Sequence, residues 1–188
     1  MAGHIVYAFA VSVDGYIASA QRGDIGLPVP EEALHRHFNE MQKRTALILY
    51  GRNMYEVMRY WDAPPAESAD FEQEFARAWR GTPKIVFSTT LESVGPNARL
   101  VKDKADTERT VRQLKAETNG DIEVNGAALA ASLVRFGLVD EFRLYMMPVV
   151  LGAGKPYFEV GLQLELEPLG AESLPQHCTL LRFRPKKS

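Results

Sequence analysis

The segment from residue 122 to residue 129 could bind an anion through its backbone. A short apolar run, Ile122 to Val124, leads into the turn Asn125-Gly126, and a helix then opens on small or aliphatic residues: Ala127, Ala128 and Leu129. The first N–H groups of a helix have no partner within the helix, and small side chains leave them open to an anion. This arrangement can hold the pyrophosphate of a dinucleotide without a lysine-bearing phosphate loop.

Alternating strand and helix patterns surround this segment. Apolar runs predict buried strands at 5–13, 46–50, 84–87, 121–124 and 141–150, with a short strand at 97–101. Helical spacing predicts helices at 31–44, 51–58, 71–81, 107–118 and 127–136. Residues 162–169 and 177–184 alternate as expected for a closing antiparallel pair. The pattern predicts an α/β fold with a mixed sheet.

Composition excludes several classes of protein. The 188 residues, 46% of them hydrophobic, predict one domain spanning 1–188. The net charge of −2 argues against nucleic acid as a partner. Cys178 is the only cysteine, and Pro148 interrupts the apolar run nearest to a membrane span. We therefore expect a cytoplasmic protein without a disulfide, a membrane segment or a metal site.

Four segments occur together in an order that resembles a known superfamily. They are residues 12–18 (SVDGYIA), 49–56 (LYGRNMYE), 88–91 (STTL) and 125–155. Together they resemble the dihydrofolate-reductase-like superfamily, and within it the branch with the reductase domain of the bacterial riboflavin-biosynthesis deaminase/reductase and many stand-alone reductase-like proteins. The resemblance implies a three-layer α/β/α fold, a mostly parallel sheet with an antiparallel C-terminal edge, NADPH across the strand ends, and a homodimer.

The resemblance also implies which residues bind the cofactor. The turn after the second strand contacts phosphates, which here means Gly51, Arg52, Asn53 and Met54. The hydroxyl residues after the third strand lie near the 2′-phosphate, namely Ser88, Thr89 and Thr90. Relatives often carry an arginine beside that serine. Because this arginine is absent here, the sequence does not decide between NADPH and NADH as the cofactor, although Arg52 can compensate for the missing charge.

Two further glycine segments complete the predicted cofactor site. Where relatives have a Gly-Gly pair, this chain has Asn125-Gly126, and asparagine tolerates a positive φ better than most residues. The asparagine side chain must then point away from the pyrophosphate or bond to it. We place the nicotinamide beside Ala8, Ala10 and the loop 149–154, whose glycines are Gly152 and Gly154.

The substrate side departs from both characterised branches. The helix carboxylate of dihydrofolate reductases falls near Leu34, and Glu31 and Glu32 lie about one turn upstream. The polar substrate contacts of the riboflavin-pathway reductases fall on apolar residues, Val124, Met54 and Met58. We therefore expect hydride transfer to a C=N or C=O carbon of another small, conjugated or heterocyclic substrate, rather than folate or riboflavin-pathway reduction.

Three side chains are candidates for the proton that accompanies the hydride, besides water: Asp14, Tyr16 and Glu32. Asp14-Gly15 can equally be an ordinary turn, and the glycines after residue 150 can simply let the strand turn. His35 and His37 do not face each other on a helix, so we expect exposed or capping side chains. A nucleotide-binding sensor without turnover stays open as an alternative.

Overall fold

A computed structural model describes residues 2–21 and 25–186 of the chain. Its strands are β1 (His4–Ser12), β2 (Tyr16–Ser19), β3 (Thr45–Gly51), β4 (Lys84–Phe87), β5 (Ala98–Val101), β6 (Asp121–Asn125), β7 (Glu141–Met147), β8 (Gly154–Pro156), β9 (Leu166–Ser173) and β10 (Thr179–Pro185). Its helices are α1 (Glu32–Arg44), α2 (Arg52–Met58), α3 (Asp70–Gly81), α4 (Thr107–Glu117) and α5 (Ala127–Arg135). Short 3-10 helices cover Arg59–Asp62 and Lys104–Asp106.

Eight strands form one sheet in the order β5-β4-β3-β6-β1-β7-β10-β9. The six strands from β5 to β7 run parallel to one another, whereas β10 pairs antiparallel with β7 and β9 pairs antiparallel with β10. The helices that connect the parallel strands bring all six carboxyl ends to one edge of the sheet. The prediction of a mostly parallel sheet with an antiparallel C-terminal edge is confirmed.

Alternate residues of β1 divide the core between the two faces of the sheet. Ile5 and Tyr7 pack in a cluster that includes Val111 of α4 and Leu133 of α5. Val6, in contrast, packs in a cluster with α1 residues that include Leu34, Phe38 and Met41. A third cluster joins α2 and α3 to β3 and β4, where the fully buried Trp79 donates from Nε1 to the hydroxyl of Tyr50. The fold is therefore a three-layer α/β domain.

Two predicted strands differ from the observed ones by three residues or more at an end, whereas the others shift by at most two residues. The strand predicted at 141–150 ends at Met147, because Pro148 has no N–H to donate to a sheet ladder. The strand predicted at 162–169 begins only at Leu166 and continues to Ser173. The structure also contains a small antiparallel pair of β2 and β8 that the sequence patterns did not predict.

No helix in the described residues is long and apolar enough to cross a membrane.

A buried ion cluster lies at the amino edge of the sheet, where β7 begins. The carboxylate of Glu141, only 3% exposed, accepts hydrogen bonds from Arg143 Nε at 2.8 Å and Arg182 Nε at 2.7 Å. His4 Nε2 lies 3.0 Å from the second carboxylate oxygen. Three strands are thus joined by one side chain.

Candidate functional site

The predicted cofactor segments meet at the carboxyl edge of the sheet. β3 pairs with β6 so that Tyr50 lies opposite Asn125, and β3 pairs with β4 so that Gly51 lies opposite Phe87. Gly51, Gly126 and the turn at Ser88 therefore follow three neighbouring strands. Segments that are far apart in sequence form one continuous edge, which is where open α/β sheets bind their ligands.

Two helices begin side by side at this edge without a side-chain cap. Gly51 precedes α2 and Gly126 precedes α5, and neither helix has an acidic residue in its first turn. Within α5 the first intrahelical bond is made by the N–H of Ala130, so the N–H groups of residues 127–129 have no partner inside the helix. These donors and the positive end of the helix dipole favour an anion.

The backbones of the two glycine turns approach each other closely. Gly126 has a φ of 126°, and a Cβ there would lie 3.4 Å from the backbone nitrogen of Gly51. The same Cβ would lie 3.8 Å from Cβ of Met54. Leu129 packs in the core, and its Cβ would lie 3.8 Å from a Cβ at Gly51, so its N–H is the group that could contact an anion. We call the space between Gly51, Gly126 and Met54 the glycine cradle. A side chain at Gly126 would occupy it.

A positive charge and hydroxyl groups lie beside the cradle. The exposed Arg52 donates from Nη1 to the hydroxyl of Thr90 at 2.7 Å. Ser88 is buried, and its Oγ accepts the N–H groups of Thr90 and Leu91 at 3.2 and 3.0 Å. The Ser88 hydroxyl thus shapes the turn, while Arg52 and the exposed Thr89 and Thr90 are the groups available to a phosphate.

The side chain of Asn125, the residue before Gly126, is buried. It lies on the α1 face of β6 and hydrogen-bonds to Glu123. Burial raises the pKa of Glu123 to about 7 against the opposing effect of this hydrogen bond. This hydrogen bond is the contact that the structure gives to the Asn125 side chain, and its relation to a bound pyrophosphate stays a prediction.

These features fit a dinucleotide. The glycine cradle admits a close backbone approach, the N–H groups of residues 127–129 suit a pyrophosphate, and Arg52 with Thr90 suits the 2′-phosphate of NADPH. Asn53 is exposed and Met54 half-buried at the same helix start. The individual cofactor contacts stay predictions.

Asp14 holds the glycine loop that follows β7. Its two carboxylate oxygens accept the N–H groups of Leu151 at 3.1 Å and Gly152 at 2.7 Å. A hydrogen bond with Ser12, together with these two backbone bonds, lowers the pKa of Asp14. An ionised acceptor with this geometry favours the turn interpretation of Asp14 over a role as proton donor.

Replacing Asp14 by alanine is expected to loosen this loop. The N–H groups of Leu151 and Gly152 lose their acceptor, so their hydrogen exchange should accelerate while exchange in the β1 core stays slow. Asp103→Ala is the matched control, since Asp103 is also exposed and accepts a backbone N–H, that of Ala105, away from this edge. Equal exchange at residues 151 and 152 in wild type and Asp14→Ala would contradict the assignment.

The other predicted catalytic side chains are dispersed around the edge. Tyr16 is half-buried at the start of β2 and pairs with Pro156. Glu32 is exposed at the start of α1 and forms an ion pair with Arg36 at 2.8 Å. Ala10 is half-buried on the α1 face of β1. The roles of Tyr16 and Glu32 in catalysis stay predictions.

The expectation that His35 is exposed or caps a helix is wrong. His35 is 9% exposed and its ring lies among three aromatic rings, those of Trp61, Phe71 and Phe75. His37 is half-buried and lies 3.4 Å from the Tyr145 hydroxyl. The i, i+4 spacing of His35 and Asn39 places both side chains on one face of the helix. The sequence alone does not show that α3 packs against this face and buries the pair.

The fold is that of a dihydrofolate-reductase-like α/β domain. The family described as the RibD C-terminal domain matches residues 3–180. The chain therefore belongs to the RibD C-terminal domain family. The uncharacterized protein YyaP of Bacillus subtilis (strain 168) is 33% identical over 155 residues, which cover 82% of this chain and 79% of that protein.

Solved structures agree on the fold. A protein of Shewanella sp. PV-4, provisionally described as a riboflavin biosynthesis protein, matches with a TM-score of 0.71 at 24% identity over 100% of both chains. The Thermotoga maritima diaminohydroxyphosphoribosylaminopyrimidine deaminase/5-amino-6-(5-phosphoribosylamino)uracil reductase gives 0.68 at 16% identity, over 98% of this chain and 57% of that one. Enterococcus faecalis dihydrofolate reductase, in a complex with NADP(H), gives 0.62 at 11% identity over 100% of this chain and 99% of its own.

Proposed function

We propose that this protein is an NAD(P)H-dependent reductase of a small conjugated or heterocyclic molecule. The observation that carries the proposal is the pair of uncapped glycine turns, Gly51 and Gly126, with Arg52 and Thr90 bonded to each other beside them. Membership of a family that includes reductases and the NADP(H) complex of a structural neighbour support the same assignment.

Different residues of the chain bind different parts of the cofactor. Arg52 and Thr90 bind a phosphate, the N–H groups of residues 127–129 bind the pyrophosphate, and the loop held by Asp14 borders the nicotinamide. When bound, the reduced dinucleotide supplies a hydride to a C=N or C=O carbon. We place the reacting rings beside Ala8 and Ala10, whose small side chains lie on the α1 face of β1.

Replacing Arg52 by alanine is expected to weaken NADPH binding about 10- to 100-fold, because a charge-assisted hydrogen bond to phosphate contributes about 1.5–3 kcal/mol. The measurement is a fluorescence titration with NADPH and, separately, with NADH. The affinity for NADH should fall less than the affinity for NADPH if Arg52 contacts the 2′-phosphate, which NADH lacks. Arg59→Ala is the matched control, since Arg59 is also exposed, lies just after α2 and forms an ion pair with Asp62.

Absence of binding by either nucleotide in the wild-type protein would overturn the proposal. If NADPH binds, a panel of carbonyl, imine and pterin compounds tests turnover through the loss of its absorbance. Persistent absorbance across the whole panel would favour the alternative of nucleotide binding without turnover.

A further inference from the structure

His35 is held in one tautomer by a chain of hydrogen bonds that starts on α3. Asn39, which is 1% exposed, donates from Nδ2 to the backbone oxygen of Phe71 and to Oε2 of Glu74, both at 2.9 Å. Hydrogen bonds from Lys43 and Asn39 lower the pKa of Glu74, so its carboxylate is ionised and only accepts. Two acceptors therefore fix the Asn39 amide with its nitrogen toward α3.

The fixed amide determines where the His35 proton lies. Asn39 Oδ1 is 3.0 Å from His35 Nδ1, and a carboxamide oxygen can only accept. Nδ1 must therefore donate, and neutral His35 carries its proton there. Nε2 is left as a hydrogen-bond acceptor, in the same way that a partner on one ring nitrogen sets the chemistry of the other.

Nε2 is open although most of the ring is buried. None of the described residues forms a hydrogen bond with Nε2. Within the same residues, every side-chain nitrogen or oxygen that is fully buried has a partner. Nε2 is therefore reached by solvent, within a frame of aromatic rings whose centroids lie 4.9 Å (Phe71), 5.5 Å (Phe75) and 5.9 Å (Trp61) from that of His35.

The position of His35 relates this open nitrogen to the proposed reductase site. α1 ends where β3 begins, at the amino edge of the sheet, so its first turn, with His35, lies toward the carboxyl edge. Leu34, the preceding residue, packs with Ala8 and Ala10 of β1. Trp61 follows α2, and Met54 near the start of α2 lies beside Gly126. The His35–Trp61 contact thus joins the two helical segments that border the α1 side of the edge.

We propose that His35 is a specificity-determining residue whose Nε2 accepts a hydrogen bond from an N–H or O–H group of a planar aromatic substrate. This inference rests on the proposed reductase function, because only that function makes the ligand a substrate. Trp61 and Phe75 supply apolar ring surface, while Asn39 and Glu74 position the imidazole. A site with a fixed acceptor discriminates against a ligand that lacks the donor.

The first test needs no ligand. Long-range ¹H–¹⁵N NMR of the histidine-labelled wild-type protein distinguishes the two neutral tautomers. We expect the Nδ1-protonated pattern for His35, with His37 as a second signal from the same helix. An Nε2-protonated pattern for His35 would overturn the inference.

The second test uses benzimidazole, which carries a ring N–H, and 1-methylbenzimidazole, which has lost it. Benzimidazole should shift the His35 Nε2 resonance. It should also bind about tenfold more tightly than the methylated ring, because one net hydrogen bond changes an affinity by about that factor. His35→Phe, which keeps an aromatic ring, should abolish the difference, and His37→Phe should preserve it. Equal binding of both rings, or no movement of the His35 signal up to the solubility limit, would overturn the inference.

A third measurement separates this inference from the proposed function. His35→Phe should bind NADPH as the wild type does, because Arg52 and the α5 start are unchanged. Failure of the wild-type protein to bind NADPH would remove the reductase assignment yet leave the tautomer and benzimidazole results valid. A parallel loss of NADPH and benzimidazole binding in His35→Phe would instead indicate a general structural defect and contradict the specific role.

Discussion

Replacing Glu141 by alanine is expected to destabilise the fold by about 3 kcal/mol, the lower end of the cost of breaking a buried ion pair, because only Arg143 among its partners is mostly buried. Glu141 is 3% exposed and is the common acceptor of Arg143 and Arg182. Without it, the guanidinium of Arg143 keeps one carboxylate partner among the residues that the structure describes, that of Asp121 at 3.3 Å. The free energy of unfolding of a native protein is about 5–15 kcal/mol, so this loss is a large fraction of the total stability. Urea unfolding at neutral pH measures the change.

An exposed carboxylate on β9 provides the matched control. Glu167 pairs with Arg184 at 2.6 Å but is 41% exposed, so Glu167→Ala should cost no more than about 1 kcal/mol. A loss in Glu141→Ala no larger than in Glu167→Ala would show that the cluster is not a main source of stability.

The same cluster predicts a dependence on pH. Burial opposes ionisation of Glu141, but the hydrogen bonds from His4, Arg143 and Arg182 outweigh it and hold the pKa of Glu141 well below its ordinary value of 4.5. A carboxyl with a lowered pKa in the folded state stabilises the fold above its unfolded pKa. This contribution is lost as the pH falls below about 4.5. The gap in stability between wild type and Glu141→Gln should therefore narrow in acid.

The parts of the site that the sequence could predict are those built from local patterns. Gly51 and Gly126 each stand between an apolar run and a helical pattern, so the strand, turn and helix start could all be recognised within a few residues. Parallel pairing then brings those turns to one edge without further information. The contact between Arg52 and Thr90 follows from the same topology, because β3 and β4 are neighbours.

The features that the sequence did not predict depend on partners that are distant in the chain. β2 and β8 are four and three residues long, too short to show a period, and they pair only because the loops after β1 and β7 meet. His35 is polar, and only the packing of α3 shows that its position is internal. The sequence also did not show that the Ser88 hydroxyl is used within its own turn.

Substitution of Gly154 is expected to disrupt the loop that borders the proposed nicotinamide site. A Cβ at residue 154 would lie far inside van der Waals contact with the backbone oxygen of Ala18, and 3.1 Å from the carbonyl carbon of Ala18. Backbone atoms of a paired strand cannot swing aside as a side chain can, so β2 and β8 must separate. We expect Gly154→Ala to cost at least the 1–3 kcal/mol or so that is typical of overpacking.

Gly152→Ala separates this steric requirement from backbone strain in the same loop. Gly152 has a φ of 75°, but a Cβ there would meet nothing within 4 Å, so the cost should be only about 1 kcal/mol. Thermal unfolding and NADPH titration of both variants provide the comparison. Gly154→Ala should lose more stability and more NADPH affinity than Gly152→Ala, because only the former displaces the strand that fixes the loop. The opposite order would mean that the left-handed turn at Gly152, rather than the close approach of β8 to β2, determines the shape of this edge.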